Sequence, residues 1–404
     1  MEIDFKIRSS TIDHCLTESH PEVKIPIRNQ NKWVIVNLQQ TGFYRVNYDP
    51  ENWRRIARYL NSERYTCIHV LNRAQIIDDA FHLMIEKKLN FSIFWELASY
   101  LPRQERDYLV WYPMIKALEY LSNYFAIMKV SDSHLSSEFQ DVSIKIKQMF
   151  EYKKNGIHPF LYEYHGIYNP MKPFQSKINE NLKLDLTKWG CVINIDKCLE
   201  MAKKILELYV QNSTLNRISP GWEEWTYCNG LKTANESMWY TVYLMASRMY
   251  KEKSDYKMLE YLSCSENPNI IVKYLWSVIP EFKQDMLRKS YPKMLKQKDK
   301  DKIYTVITNM FLSTLARHAK NTLVLKEILT SYEINYKNSP VSVTTAFNVL
   351  INNAYTYKQL YDEIYEFAKK YRPLSKYKNY IYTKLITRYH KLHEREQFFY
   401  NLFK

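Results

Sequence analysis

The stretch WVIVNLQQTGFYRVNYDPENWRRIARYL, residues 33–60, with the IHVLNRAQIIDDAF that follows at 68–81, decides the fold. Within 43–48, Phe43, Arg45 and Asn47 fall on one side of an extended chain and Tyr44, Val46 and Tyr48 on the other, the period-two pattern of a half-buried strand. The period then changes. Asp49 suits a cap, Pro50 suits a first helical turn, and Trp53, Ile56, Ala57 and Leu60 recur at helical spacing, so strand gives way to helix at 49–50. Tyr44, Val46 and Tyr48 are expected to pack on that first helix.

Working outward, composition favours helices. Only six glycines serve 404 residues, and sheets built from hairpins need glycine where turns demand positive φ. Fourteen prolines then punctuate helix starts and breaks, and 35 tyrosines suit layered helices with half-exposed faces, a ring packing while its hydroxyl stays wet. Net charge is +15, but the lysines are scattered through runs such as KQKDKDK at 296–302 that also hold acids. That reads as solvated surface, and no nucleic-acid partner is expected. No apolar run approaches a membrane span and no signal peptide is visible after Met1.

Along the chain, residues 1–30 are polar, with a short strand candidate at 23–27. Helices are expected at 90–101 and 104–124, turning around Pro102, and at 133–152, whereas 153–177, with Gly156, Pro159, Gly166, Pro170 and Pro173, reads as a loop. Helices resume in pairs from 182: 195–210 with 222–231, then 237–251 with 256–262, then 268–278 onward. Such pairs suit a solenoid in which each buries its face against its neighbours.

Two phrases carry a family resemblance: TGFYRVNYD at 41–49 and LNRAQIIDDAF at 71–81. In that order and spacing they resemble the seam of aminopeptidase N-type zinc aminopeptidases, where a small β-sandwich hands over to a large C-terminal helical domain. WTYCNGLKTANESMWYTVY (225–243), LSCSENPNIIVKYLW (262–276), YKQLYDEIYEFAKKY (357–371) and EQFFYNLF (396–403) follow the order of that domain. The likeness is strong to about residue 276 and weaker beyond, with 311–334 poorly matched. It implies a mainly α fold: a curved stack of antiparallel helix pairs, a HEAT/armadillo-like superhelix, over residues 50–404. Residues 1–49 would be a polar segment with remnant strands of an incomplete sandwich, as in a fragment of a longer precursor.

The chemistry of that family is absent here. Zinc aminopeptidases use HExxH, two histidines one helical turn apart with a glutamate that activates water, and this chain has no such run. His390 and His393 stand three apart beside Glu394, more simply a polar helix face than a metal site. NESMW at 235–239 is not the family's substrate-gripping GAMEN-like strand, and no GxSxG, P-loop or dinucleotide fingerprint occurs. No catalytic residue, metal ligand or cofactor is expected in the chain itself. Zinc belongs to a full-length relative.

By the same resemblance Cys191 pairs with Cys198 and Cys228 with Cys264, as in animal aminopeptidase N ectodomains, while Cys15 and Cys67 have no evident partners. Four free buried cysteines are the plainer alternative. With three sequons at Asn90, Asn212 and Asn235, the disulfides imply an oxidising compartment and a secreted or cell-surface setting. Arg73, Asp78 and Asp79 on one helix, with Tyr44 and Arg45 before it, either face a peptide or, more simply, pair with one another in the buried seam. The resemblance implies a non-catalytic region that caps an active site and binds the far end of peptide substrates. Its partners would be a peptide and an aminopeptidase catalytic domain, and a homodimer stays open. The rival is an independent helical-repeat scaffold for an acidic protein or nucleic acid.

Overall fold

The computed structural model describes residues 18–19, 21–22, 32–122, 144, 146–148, 177–193, 195–253, 256–289, 297–371 and 377–403. The expectations for a strand at 23–27, for a loop at 153–177 up to its last residue, for Cys15 and for most of a helix at 133–152 lie outside these residues.

Helix α1 (Pro50–Leu60) begins where the period changes. The Asp49 carboxylate accepts from the Asn52 amide at 2.9 Å, Pro50 fills the first turn where no N–H is needed, and Trp53, Ile56, Ala57 and Leu60 are all buried. Helices α2 (Val70–Ile85), α3 (Phe91–Ala98), α4 (Leu101–Gln104) and α5 (Tyr108–Ser122) follow. Pro102 lies in α4 rather than in a turn between two long helices, since proline fits the first turn of a new helix. α2 packs on α3 and α5, and α1 on α3.

The second run is α6 (Lys177–Val192), α7 (Asp196–Gln211), α8 (Glu223–Lys232), α9 (Glu236–Lys253), α10 (Lys257–Tyr261) and α11 (Pro268–Lys273). α7 and α8 lie so close that a Cβ on Gly230 would sit 2.8 Å from Leu206 Cδ2 and 3.1 Å from the Ala202 carbonyl, which explains the glycine in YCNGL. A π-helical turn at Tyr274–Val278 leads from α11 into α12 (Ile279–Lys289). Then come α13 (Gln297–His318), α14 (Thr322–Asn335), α15 (Val343–Asn353), a π-helical stretch at Gln359–Tyr365, α16 (Glu366–Lys370) and α17 (Lys378–Phe403).

Among the described residues two apolar cores result. One draws on residues from Ile35 to Trp225, the other on residues from Leu206 to Leu385. α17 spans both: Ile381 and Leu385 belong to the second core, while Leu402 is buried in the first and Phe398 packs against it.

The mainly helical class is as expected; the strand remnant is not. Among the described residues, 33–48 contains no strand. It has no regular structure at 33–36 and 45–49, with a 3-10 turn at Leu38–Gln40 and left-handed backbone at Asn37, Gln39 and Gln40. Alternation reports an extended backbone without saying who satisfies its polar groups, and here side chains do. Asn52 accepts the Val34 amide and donates to the Val34 carbonyl, both at 2.8 Å. Tyr48 OH accepts the Val36 amide at 2.9 Å, and Asn72 Oδ1 accepts the Gln39 amide at 2.9 Å. Tyr48 packs edge-on against Trp53 at 4.8 Å, but Tyr44 is exposed rather than seated on α1, as is Phe43.

Candidate functional site

The seam between 33–48 and the first helices gathers the charged residues singled out above, in two separate groups. Arg45 Nη1 lies between Asp78 and Asp79, 3.2 Å from Asp79 Oδ1 and in a short hydrogen bond with Asp78. Asp79 Oδ2 also accepts the Val46 amide at 3.0 Å. Asp79 is buried, and burial raises its carboxyl above the usual value while the Val46 amide and Arg45 pull it back. Asp78 is half exposed and lies 3.6 Å from His82 Nε2.

Arg73 is not part of this group, although it shares α2 with both aspartates. One face of the helix turns it the other way, to Glu105 after α4: Nε to Oε2 at 2.8 Å, with Nη1 donating to the Ile68 carbonyl at 2.7 Å. Glu105 is 2% exposed and also accepts the amides of Arg106 and Asp107 at 3.0 Å each. The Tyr65 ring covers the guanidinium at 5.2 Å. Both side chains of this ion pair are buried, 8% and 2% exposed.

Both disulfides are formed, Cys191–Cys198 with Cα atoms 5.2 Å apart and Cys228–Cys264 with Cα atoms 4.9 Å apart. Cys67 is a free, exposed thiol. The turn that carries Cys264 is held by three more side chains. Tyr274 OH donates to the Leu259 carbonyl and Trp239 Nε1 to the Leu262 carbonyl, each at 3.0 Å, and His318 Nε2 lies 2.8 Å from the Ser263 carbonyl. Trp239 near the start of α9 and Tyr274 just after α11 thus hold one segment, 259–263, between them. Between α9 and α11 opens a cavity of about 370 Å³, lined by Glu236, Ser237, Trp239 and Tyr240 from α9 and by Asn269, Ile270 and Lys273 from α11. The Lys273 ammonium lies 5.6 Å from the Tyr240 ring centre.

Among the described residues no three His, Cys, Asp or Glu side chains are placed to share a metal ion, so the donor set does not fit zinc. His390 and His393 are exposed on α17, flanking the Tyr389 ring. No described helix is long and apolar enough to cross a membrane.

A family model described as the ERAP1-like C-terminal domain matches residues 33–294. The chain belongs to that family. The ERAP1-like C-terminal match opens at the seam and ends just before α13, in line with a likeness that weakens past 276. The chain is similar to aminopeptidase N of Plutella xylostella, 31% identical over 61% of this chain and 24% of that protein. It is also similar to human aminopeptidase N, 27% identical over 61% of this chain and 24% of that protein. The mouse thyrotropin-releasing hormone-degrading ectoenzyme is 26% identical over 62% of this chain and 22% of its own length. The chain thus spans about a quarter of the relatives it matches.

Of the seam residues expected to act together, this ERAP1-like domain brings Arg45, Asp78 and Asp79 together and sends Arg73 elsewhere. Tyr44 stands exposed. The side chains of Asn90, Asn212 and Asn235 are all exposed. Sequence reasoning missed Asn52, Asn72 and Glu105. The one available signal was polar residues on otherwise apolar helix faces: Asn52 beside Trp53 and Ile56, and Asn72 one turn before Ile76. It also missed the cavity, whose two walls lie about thirty residues apart in the chain.

Proposed function

We propose that this chain is the non-catalytic C-terminal region of an aminopeptidase N-like zinc aminopeptidase engaged in peptide catabolism, that it caps the active site of an upstream catalytic domain, and that it binds the distal part of peptide substrates. The observation that carries the reading is the family match beginning at residue 33, on a chain that covers only a quarter of its aminopeptidase relatives. At that same end Val36, Leu38, Phe43 and Tyr44 are each exposed, Phe43 fully, apolar surface suited to an apposed domain. Tyr44 and Arg45 are the residues proposed to face that partner or its peptide, with Asp78 beside them. Asp79 acts behind them as a support, while Arg73 pairs with Glu105 on the other side of α2.

The helix order, with α7 on α8 and α13 on α15, supports a repeat arrangement of antiparallel pairs over 50–404, with 1–49 as the junction to the upstream domain. Two disulfides and three exposed sequon asparagines support a secreted or cell-surface glycoprotein. Zinc would be held by the partner domain.

The test is reconstitution. The chain alone is expected to leave aminoacyl anilides uncleaved. A separately produced catalytic region of a relative should gain activity on long peptides, relative to dipeptides, when the chain is added. Chelator-sensitive hydrolysis by the chain alone, or no binding to the catalytic region, overturns the reading.

A further inference from the structure

The three sequons differ in their surroundings. At Asn90 and Asn212 the side-chain oxygen takes the hydroxyl two residues on, Ser92 Oγ and Thr214 Oγ1, each at 2.7 Å. Asn235 instead caps α9, its Oδ1 accepting the Met238 amide at 2.9 Å, so its oxygen rather than its Nδ2 is engaged by the helix end. The next two residues of its sequon, Glu236 and Ser237, form part of the cavity wall. Behind them lie the buried indole of Trp239 and the half-exposed ring of Tyr240. Asn269 and Lys273 complete the wall with polar groups.

We propose that Asn235 carries an N-linked glycan whose first N-acetylglucosamine sits in this cavity, its C–H face against the Tyr240 ring and its acetamido group served by Asn269 and Lys273. This rests on the secretory part of the reading above. The sugar arrives from a polyprenyl diphosphate-linked oligosaccharide. The Asn235 amide nitrogen forms a bond to the anomeric carbon, the carbon–oxygen bond to the diphosphate breaks, the polyprenyl diphosphate leaves and the amide loses one proton. Nothing is oxidised or reduced.

A cavity of about 370 Å³ is at the small end of the range for ligand sites, about 300–1,000 Å³, and suits one sugar ring. Its contacts are too few to hold a free monosaccharide firmly. Attachment at the neighbouring residue removes that need, because a short tether gives an effective concentration on the order of millimolar. The sugar then shields Tyr240 and braces the start of α9 against the start of α11.

The test uses the full chain secreted from insect cells and mapped for glycosylation. Asn235 is expected to be occupied. Ser237→Ala abolishes the sequon but keeps the Asn235 cap, and should lower the melting temperature by about 2–4 °C, which for a chain of this size corresponds to roughly 2–3 kcal/mol. Ser237→Thr should restore it. Trimming to a single N-acetylglucosamine should leave it unchanged, and Tyr240→Ala should erase the difference between Ser237→Ala and its glycosylated counterpart. Sugar at Asn90 or Asn212 with Asn235 bare overturns the site, and an occupied Asn235 with no stability difference overturns the seating. No sugar at any sequon together with four free thiols overturns the secretory reading, and this proposal with it.

Discussion

His318 Nε2 lies 2.8 Å from the carbonyl oxygen of Ser263, the residue before disulfide-bonded Cys264. A carbonyl only accepts, so Nε2 carries a proton and donates it to this bond. The end of α13 is thereby fastened to a turn 55 residues earlier, the same turn that Trp239, Tyr274 and Cys228 grip.

A pH dependence follows. Burial, with the neighbouring Arg317 charge adding to it, lowers His318 to about 4 from 6.5. Between those values the unfolded chain binds more protons than the folded one, so stability rises with pH across the window. The contribution is complete above about pH 7 and lost as pH falls towards 4, a change on the order of 3 kcal/mol. Urea unfolding from pH 7 to 4 should show it, with a shallower slope in His318→Gln. Equal slopes in the two proteins would remove His318 as the cause.

The two charged groups of the seam should respond differently to truncation. Arg73→Ala strands the Glu105 carboxylate, 2% exposed, in the core, and is expected to cost about 3–5 kcal/mol. Arg45, 42% exposed in its side chain, should cost about 1 kcal/mol or less on the same change. Chemical denaturation of the two variants decides this, and similar losses would mean that Arg45 is as enclosed as Arg73.

Reduction should separate the two disulfides. In the chain-entropy picture the Cys228–Cys264 bridge, spanning 36 residues, restricts the unfolded chain by about 4 kcal/mol, and the Cys191–Cys198 bridge, spanning 7, by about 2.5 kcal/mol. Cys228→Ser with Cys264→Ser should therefore lower the unfolding midpoint more than the paired change at 191 and 198. The reverse order would place the weight on local strain rather than loop length.

What could be read from sequence was whatever residues specify locally. Asp49, Pro50 and the spacing of Trp53, Ile56 and Leu60 place α1 to the residue, because a cap, a fixed φ and an apolar stripe act within one turn. The class follows from scarce glycine, and the cysteine pairs from their resemblance to a family. What could not be read were long-range partners. The spacing of Arg73, Asp78 and Asp79 shows that they share a helix, not that Arg73 turns to Glu105, 32 residues on. Likewise the cavity is lined by α9 and α11 residues about thirty positions apart, which no local spacing brings together.

The misread stretch supplies the last prediction. Residues 33–48 look like a strand because their side chains alternate in type, yet five of their amides are satisfied one at a time by side chains of α1, α2 and the stretch itself. Val34 has Asn52, Val36 has Tyr48, Gln39 has Asn72, Gly42 has Asn37 and Val46 has Asp79. The amides of Phe43 and Tyr44 have no acceptor among the described residues. Hydrogen exchange should therefore be uneven: slow at Val34, Gln39 and Val46, and fast at Phe43 and Tyr44. A strand in a ladder would instead protect every second amide along its paired edge. Asn52 is the most exposed to test, since it serves both polar groups of Val34 and is itself buried. Asn52→Leu keeps the volume but leaves the Val34 amide and carbonyl unpaired, at an expected cost of about 1–3 kcal/mol. Exchange at Val34 should rise at least tenfold while Val46, held by Asp79 on the other helix, stays slow. If Val34 and Val46 loosen together, the stretch is a single cooperative unit held by something other than these separate side chains.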